Sequence, residues 1–266
     1  MADMKTPVVF VHGLWLHSSS WQNWIELFNK AGYEAVAADW PGDSKTVGAA
    51  RKNPELVAGK GLDEIVEYHA QQLRKFATKP IVIGHSFGGL ITEKLAGLGL
   101  ASAAVAIDPA PMKGVYVLPL SALRVASIAL RNPANKSRAV SLTEAEFRYG
   151  FGNALEPEES RELFDEWAIP SPGKPLFEAA AANFFPHSPA KADTKNPQRG
   201  PLLIMGGGHD HTVPASISRS TYKLEGHSTA DTDLKVFDDR GHSLTIDHGW
   251  REVADYALHW LKQQSL

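Results

Sequence analysis

The sequence predicts an α/β fold in which helices cover both faces of a mostly parallel β-sheet. Six short apolar runs, each followed by Gly, Asp or His, recur along the chain as buried strands do. They cover residues 8–11, 35–38, 81–83, 103–107, 202–205 and 234–237. Segments with helical spacing lie between the early runs, and parallel neighbours need such long connections. We therefore expect a doubly wound sheet.

The helical segments are recognised by apolar residues that recur every three or four positions. Three of them cover residues 21–28, 65–76 and 90–98, between the early predicted strands. A closing segment, residues 250–261, has apolar residues at the same spacing and is predicted to cover one face of the sheet.

The rhythm of strand and helix is interrupted between residues 112 and 196. No convincing strand is visible there, and helical patches at 120–130, 144–149, 158–167 and 177–184 are separated by Pro and Gly. We therefore predict that residues 1–111 and 197–266 form the α/β core and that residues 112–196, the cap segment, are a helical insertion. Its high aromatic content predicts that one face packs on the core or lines a cavity.

Composition excludes several classes of function. The chain has 266 residues, of which 43% are hydrophobic and 21% charged, as in an ordinary globular protein. The net charge of −3 gives no electrostatic reason to expect a nucleic acid or an anionic membrane as partner, so a small neutral substrate fits better. Cysteine is absent, which rules out disulfides, thiolate metal sites and a cysteine nucleophile.

The location of the protein is predicted from what its termini and apolar runs lack. Residues 1–7 contain one lysine and no apolar stretch of the kind found in secretion signals, so residence in the cytoplasm is the expectation. Residues 115–130 are apolar but are interrupted by Pro, Ser and Arg, which predicts no transmembrane segment. The sequence does not indicate an oligomeric state.

The strongest motif is Gly84-His85-Ser86-Phe87-Gly88-Gly89, between a predicted strand and a predicted helix. A Gly-x-Ser-x-Gly turn in this context is typical of a nucleophile elbow, in which the serine is strained and small neighbours avoid clashes. Ser86 is therefore the candidate nucleophile. The competing interpretation is that Ser86 only caps the helix, as serine often does.

A serine nucleophile needs a general base, and the base needs an acceptor that fixes its tautomer. His242 is the candidate base because it follows the last predicted strand, at the edge of the sheet where Ser86 also lies. His248, His209 and His211 are the alternatives, each of which could instead be a polar loop residue.

The candidate acid is Asp210, which follows the predicted strand 202–205 and gives the chain order Ser, Asp, His. Its rival is Asp108, which also ends a strand but could simply form a turn. His209 and His211 flank Asp210, but no further ligands accompany them, so we predict no metal.

The negative oxygen of a tetrahedral intermediate needs backbone N–H donors. We predict that Phe87, next to Ser86, provides one, and that Leu14 provides the other from the turn after the first strand. His12 in the same turn is assigned no role in proton transfer.

Together, the His12-Gly13 turn, the Ser86 elbow, residues 207–214 and Gly241-His242 closely resemble the α/β-hydrolase superfamily of esterases and lipases. The resemblance implies an α/β-hydrolase fold, a triad of Ser86, Asp210 and His242 and no cofactor. We therefore expect a serine hydrolase that cleaves small carboxylic esters through an acyl-enzyme. Two alternatives remain open: a cofactor-free perhydrolase (haloperoxidase), and a ligand receptor of the same fold with very slow turnover.

Overall fold

The computed structural model describes residues 5–266 and contains one six-stranded parallel sheet. All six predicted strands are confirmed: β1 Pro7–Val11, β2 Glu34–Ala38, β3 Ile81–His85, β4 Ala103–Ile107, β7 Leu202–Gly207 and β8 Thr232–Phe237. Across the sheet they lie in the order β2-β1-β3-β4-β7-β8. Since all six run the same way, their carboxyl ends form one edge, which carries the loops of the candidate site.

The helices also follow the predicted pattern, with two additions. Helices α1, α3, α4 and α10 correspond to predicted segments, whereas the short α2 and the longer α9 were not predicted. The helices are α1 Gln22–Lys30, α2 Val47–Lys52, α3 Leu62–Leu73, α4 Phe87–Gly97, α5 Leu120–Leu130, α6 Glu144–Gly150, α7 Pro157–Trp167, α8 Lys174–Ala180, α9 Ala215–Glu225 and α10 Trp250–Gln263.

Both faces of the sheet are buried, as expected for parallel strands. In β1, Val8 and Phe10 pack with α1 and α10, whereas Val9 and Val11 belong to the apolar cluster on the opposite face. Because successive side chains of a strand point to opposite faces of the sheet, one apolar run contributes to the apolar clusters on both faces. Aromatic contacts stabilise the cluster that contains Val8 and Phe10, where the ring of Phe10 lies 5.2 Å from that of Phe28.

The cap segment contains helices α5 to α8, as predicted, but the expectation that it has no strand is wrong. Ala139–Val140 (β5) and Ser171–Pro172 (β6) pair antiparallel as a two-stranded sheet. Strands of two residues show no periodicity, which is why the sequence did not indicate them. The cap aromatics Phe147 and Phe151 are fully buried in the apolar cluster that also contains core residues such as Leu90.

Among residues 5–266, no helix combines the length and hydropathy needed to cross a bilayer. The first four residues, which form part of the segment used to predict the absence of a secretion signal, lie outside the described chain.

Candidate active site

Ser86 stands at the junction of β3 and α4 in a backbone conformation that ordinary residues avoid. Its φ is 58° and its ψ is −121°, a strained combination for a residue with a side chain. The turn closes because its flanking residues have no Cβ: one at Gly84 would overlap the carbonyl oxygen of Gly88, and one at Gly88 would overlap that of Val11. The surrounding backbone therefore imposes the strain.

The turn after β1 packs directly on the candidate nucleophile. A Cβ at Gly13 would lie 2.7 Å from Ser86 Cβ and 2.8 Å from the carbonyl oxygen of His85, closer than real side chains approach. The neighbouring amide of Leu14 and the amide of Phe87, the first residue of α4, find no acceptor among residues 5–266. Both predicted donors are therefore free to bind a ligand oxygen.

The same turn is attached to the cap segment through Trp15, which has a φ of 66°. The Trp15 amide donates to Ser171 Oγ at 2.6 Å, and its indole Nε1 donates to the carbonyl oxygen of Val140 at 3.0 Å. Both acceptors lie in the small β5–β6 sheet. Because Ser171 occupies the Trp15 amide, that amide is not available to a ligand oxygen, whereas the Leu14 amide is.

His12 holds the turn from the side of the core. Its Nε2 lies 2.8 Å from Asp43 Oδ2, and its Nδ1 lies 2.8 Å from the carbonyl oxygen of Gly13. Burial would lower the pKa of His12, but the Asp43 carboxylate and the two hydrogen bonds outweigh burial and raise it. A protonated ring can donate from both nitrogens, which satisfies both acceptors.

His242 and Asp210 are in direct contact. His242 Nδ1 lies 2.6 Å from Asp210 Oδ2, and both side chains are buried. The other carboxylate oxygen, Oδ1, accepts the amides of Thr212 at 2.6 Å and Val213 at 2.8 Å. These amides fix the carboxylate, and the carboxylate fixes the imidazole with its proton on Nδ1.

Asp108 lies beside His242 and Asp210, but Asp210 is the residue that is hydrogen-bonded to His242. Its Oδ2 is 3.9 Å from His242 Nδ1, too far for a hydrogen bond, while its Oδ1 accepts the Gly207 amide at 2.8 Å. Burial raises the pKa of Asp108 well above its usual range, and the negative charge of Asp210 adds to the shift.

The link between His242 and Ser86 is not formed as a hydrogen bond in the structure. His242 Nε2 is buried and has no hydrogen-bond partner among the described residues. The alternative histidines are engaged elsewhere or lie on the surface. His211 contacts the carbonyl oxygen of Tyr149, the exposed His248 pairs with Glu159, and His209 is exposed.

One group of side chains in residues 5–266 is close enough to share a cation. Ligand atoms of His85, Asp108 and His242 lie within 4.8 Å of one another, whereas the His209 and His211 pair suggested by the sequence is not part of the group. His85 Nε2 is 2.9 Å from the carbonyl oxygen of His242, and His242 Nδ1 is bonded to Asp210. One nitrogen of each histidine is therefore engaged by the protein itself.

Ser86 opens into an apolar cavity of about 320 Å³ between the core and the cap segment. Phe87 and Val213 line it from the core, and α5 and α8 line it from the cap segment. None of its lining residues is charged. Its outer part includes Tyr116 and Phe184, which are 75% and 82% exposed, so the apolar surface continues to the mouth.

Sequence reasoning identified the residues at the strand ends but missed the contacts that come from the cap segment. Ser171 and Val140 were not predicted to touch the turn, because they lie 156 and 125 residues from Trp15 in a region without periodic signals.

Among solved structures, the chain resembles several hydrolases over nearly its full length. It superposes with a TM-score of 0.71 on a monoacylglycerol lipase from Paleococcus ferrophilus, at 23% identity over 98% of this chain and 97% of that one. It also superposes on a thermophilic esterase from Thermogutta terrifontis, with a TM-score of 0.69 at 15% identity over 98% and 91% of the two chains. At these identities the likeness establishes the fold.

A curated relative matches more locally. The (E)-2-((N-methylformamido)methylene)succinate hydrolase of Acinetobacter baylyi is 27% identical over 111 residues, which are 41% of this chain. The match spans only 38% of that relative's length. The model of the alpha/beta hydrolase family, by contrast, matches residues 8–256. The chain therefore belongs to the alpha/beta hydrolase family.

Proposed function

We propose that the protein is a carboxylesterase or lipase that cleaves neutral, apolar esters through an acyl-enzyme on Ser86. The observation that carries the proposal is the strained Ser86 at the floor of a cavity with no charged lining residue. A strained candidate nucleophile and an apolar cavity therefore coincide. The lipase and esterase among the structural neighbours are consistent with this substrate class.

In the proposed mechanism, Ser86 Oγ attacks the ester carbonyl carbon while His242 Nε2 takes the hydroxyl proton. The amides of Leu14 and Phe87 stabilise the oxyanion, each contributing about 3 kcal/mol. The intermediate collapses, and the alcohol leaves with the proton from His242. Water then attacks the acyl carbon while His242 Nε2 takes a proton from it. The bond between the acyl carbon and Ser86 Oγ breaks, His242 returns the proton to Oγ, and the acid is released.

The contact of Asp210 with Nδ1 supports this assignment, because it keeps Nε2 unprotonated and able to accept a proton. The hydrogen bond between His242 Nε2 and Ser86 Oγ, which is absent here, has to form when substrate binds. Such bonds are often long without substrate and shorten in the productive complex. The ester therefore has to draw the serine and the imidazole together.

The cavity limits the substrate class. A carboxylate or an ammonium group placed in it would lose its hydration without gaining a charged partner, which costs several kcal/mol. We therefore expect esters with uncharged acyl and alcohol groups. The volume of about 320 Å³ leaves room for a medium-sized acyl chain.

The test compares Ser86→Ala with the parent on p-nitrophenyl esters of graded acyl length. We expect Ser86→Ala to lose at least about 1000-fold in kcat. The matched control is Ser127→Ala, at an exposed position of α5, which should keep parental activity. Labelling by a fluorophosphonate, located by peptide mass, should fall on Ser86. Hydrolysis by Ser86→Ala at the parental rate would refute the proposal.

A further inference from the structure

Two carboxyl groups, not one, lie beside the same nitrogen of His242. Asp210 Oδ2 is 2.6 Å from Nδ1 and Asp108 Oδ2 is 3.9 Å from it. All three side chains are removed from solvent, with the His242 and Asp108 residues 0% exposed and Asp210 3% exposed. The mechanism proposed above uses only Asp210, so the second buried carboxyl needs an explanation.

Both the backbone and the side chain of Asp108 are held by hydrogen bonds. Its backbone has a φ of 42°, which is unusual for an aspartate, and its amide donates to the carbonyl oxygen of Met205 at 2.8 Å. Its Oδ1 accepts the Gly207 amide at 2.8 Å. The carboxyl is therefore fixed between the ends of β4 and β7, and its second oxygen meets no N–H or O–H donor in the described part of the chain.

The buried carboxyl groups of Asp108 and Asp210 can carry one negative charge between them but not two. Among residues 5–266, no lysine or arginine affects the pKa of Asp108, and the third ionisable group beside the two carboxyls is His85. Burial and neighbouring His242 hold the pKa of His85 well below its usual range. Asp210 accepts three hydrogen bonds, whereas Asp108 accepts one. Burial, together with the negative charge of Asp210, raises the pKa of Asp108 well above its usual range, so Asp108 is the carboxyl that stays neutral.

We propose that Asp108 is a positioning residue with two states: a neutral acid that donates to Asp210, and a reserve carboxylate that can orient His242 when Asp210 cannot. The inference rests on the proposed function of Ser86, His242 and Asp210. When Asp210 loses its charge, Asp108 releases its proton to solvent and accepts the Nδ1–H of His242. A movement of about 1 Å brings the 3.9 Å separation to a hydrogen bond.

The first experiment uses the conservative variant Asp108→Asn. The asparagine amide can donate to Asp210 and its oxygen can accept from Gly207, so it reproduces the neutral acid. We expect kcat/KM on p-nitrophenyl butyrate to stay within about 5-fold of the parent, whereas loss of an ionised orienting carboxylate costs about 10 000-fold. A larger loss for Asp108→Asn than for Asp210→Asn would overturn the inference.

The second experiment tests the reserve role in the background of Asp210→Asn and of Asp210→Ala. We expect each single variant to retain activity that rises with pH as Asp108 loses its proton. Adding Asp108→Asn should lower that remainder at least about 10-fold and remove its rise with pH. Melting temperatures of the single and double variants show whether each protein is folded, and the aspartate-to-asparagine changes preserve shape.

The outcomes separate this inference from the proposed function. If the double variants equal the Asp210 single variants in rate and pH profile while Ser86→Ala is inactive, the reserve role is wrong and the proposed function stands. If every variant, Ser86→Ala included, matches the parent, the proposed function itself fails and the inference fails with it.

Discussion

The Ser86 elbow and the turn of residues 12–17 line the same cavity floor, but they are stabilised in different ways. The elbow depends on backbone contacts between adjacent elements, since Gly84 and Gly88 touch main-chain atoms of α4 and β1. The turn depends on residues that reach it from two directions, with the side chains of His12 and Asp43 on the core side. On the cap side, the Ser171 side chain acts together with backbone hydrogen bonds from the chain at residues 167–169. The proposed nucleophile can therefore be specified locally, whereas the proposed oxyanion donor Leu14 depends on distant residues.

This difference has a consequence for catalysis. In the proposed mechanism, the Leu14 amide can stabilise an oxyanion only while the turn keeps its shape, and polar side-chain contacts contribute to that shape on both sides. We expect variants at the point where turn and elbow meet to have the largest effect, and variants at each attachment to have smaller ones.

The largest effect is expected for Gly13→Ala, which disturbs both regions. Its new Cβ would meet Ser86 Cβ at 2.7 Å and the His85 carbonyl oxygen at 2.8 Å, so the turn must move away from the elbow. We expect kcat to fall about 100- to 1000-fold, as for loss of one oxyanion donor. Steady-state kinetics on p-nitrophenyl butyrate measure the change.

Gly48→Ala is the control for the Gly13 variant. Gly48 lies in α2, where an added Cβ meets nothing within 4 Å, so activity should be unchanged. Stability should rise by about 0.5–1 kcal/mol because alanine favours helix more than glycine does. Parental kcat in Gly13→Ala would show that the contact between turn and elbow does not matter for the reaction.

A smaller effect is expected for Ser171→Ala, which removes the attachment on the cap side. The Trp15 amide loses its acceptor at 2.6 Å and competes with the Leu14 amide for the substrate oxygen. We expect kcat to fall about 5- to 30-fold with little change in KM, because a misplaced donor affects the transition state more than substrate binding. Kinetics at two acyl lengths should show the same loss.

The exposed Ser127→Ala variant again serves as the control. If Ser171→Ala raised KM and left kcat unchanged, the cap attachment would serve substrate binding and not the shape of the turn.

The two regions also differ in how far the sequence predicted them. The Ser86 motif, its strand and its helix are contiguous, and the six strands follow from apolar runs that any parallel sheet must bury. The attachment of Trp15 to Ser171 could not be predicted, because β5 and β6 have two residues each and their pairing is set by tertiary packing. The sequence shows which residue types follow each strand. It does not show that Asp210 lies closer to His242 than Asp108 does, because those distances depend on the register of β4 and β7.

The smallest effect is expected on the core side, where it depends on pH. The pKa of His12 is raised in the folded protein, so the stability that it contributes is complete below its unfolded value of about 6.5. That contribution is lost as the pH rises through the folded pKa, because the ring then keeps only one N–H for the Asp43 carboxylate and the Gly13 carbonyl oxygen. The parent should therefore exceed His12→Gln in free energy of unfolding by about 1 kcal/mol more at pH 6 than at pH 9.

Urea unfolding of both proteins at the two pH values measures this difference, and the exposed His248→Gln variant corrects for effects of histidine loss that are not specific to the turn. The direction of the change is the decisive observation. A gap between parent and His12→Gln that widens with rising pH would mean that His12 is neutral in the fold and donates from one nitrogen only. The His12 side chain would then contribute a single hydrogen bond, beside the one that Trp40 Nε1 donates to the His12 carbonyl oxygen, and the contact with Ser171 would matter more for the shape of the turn.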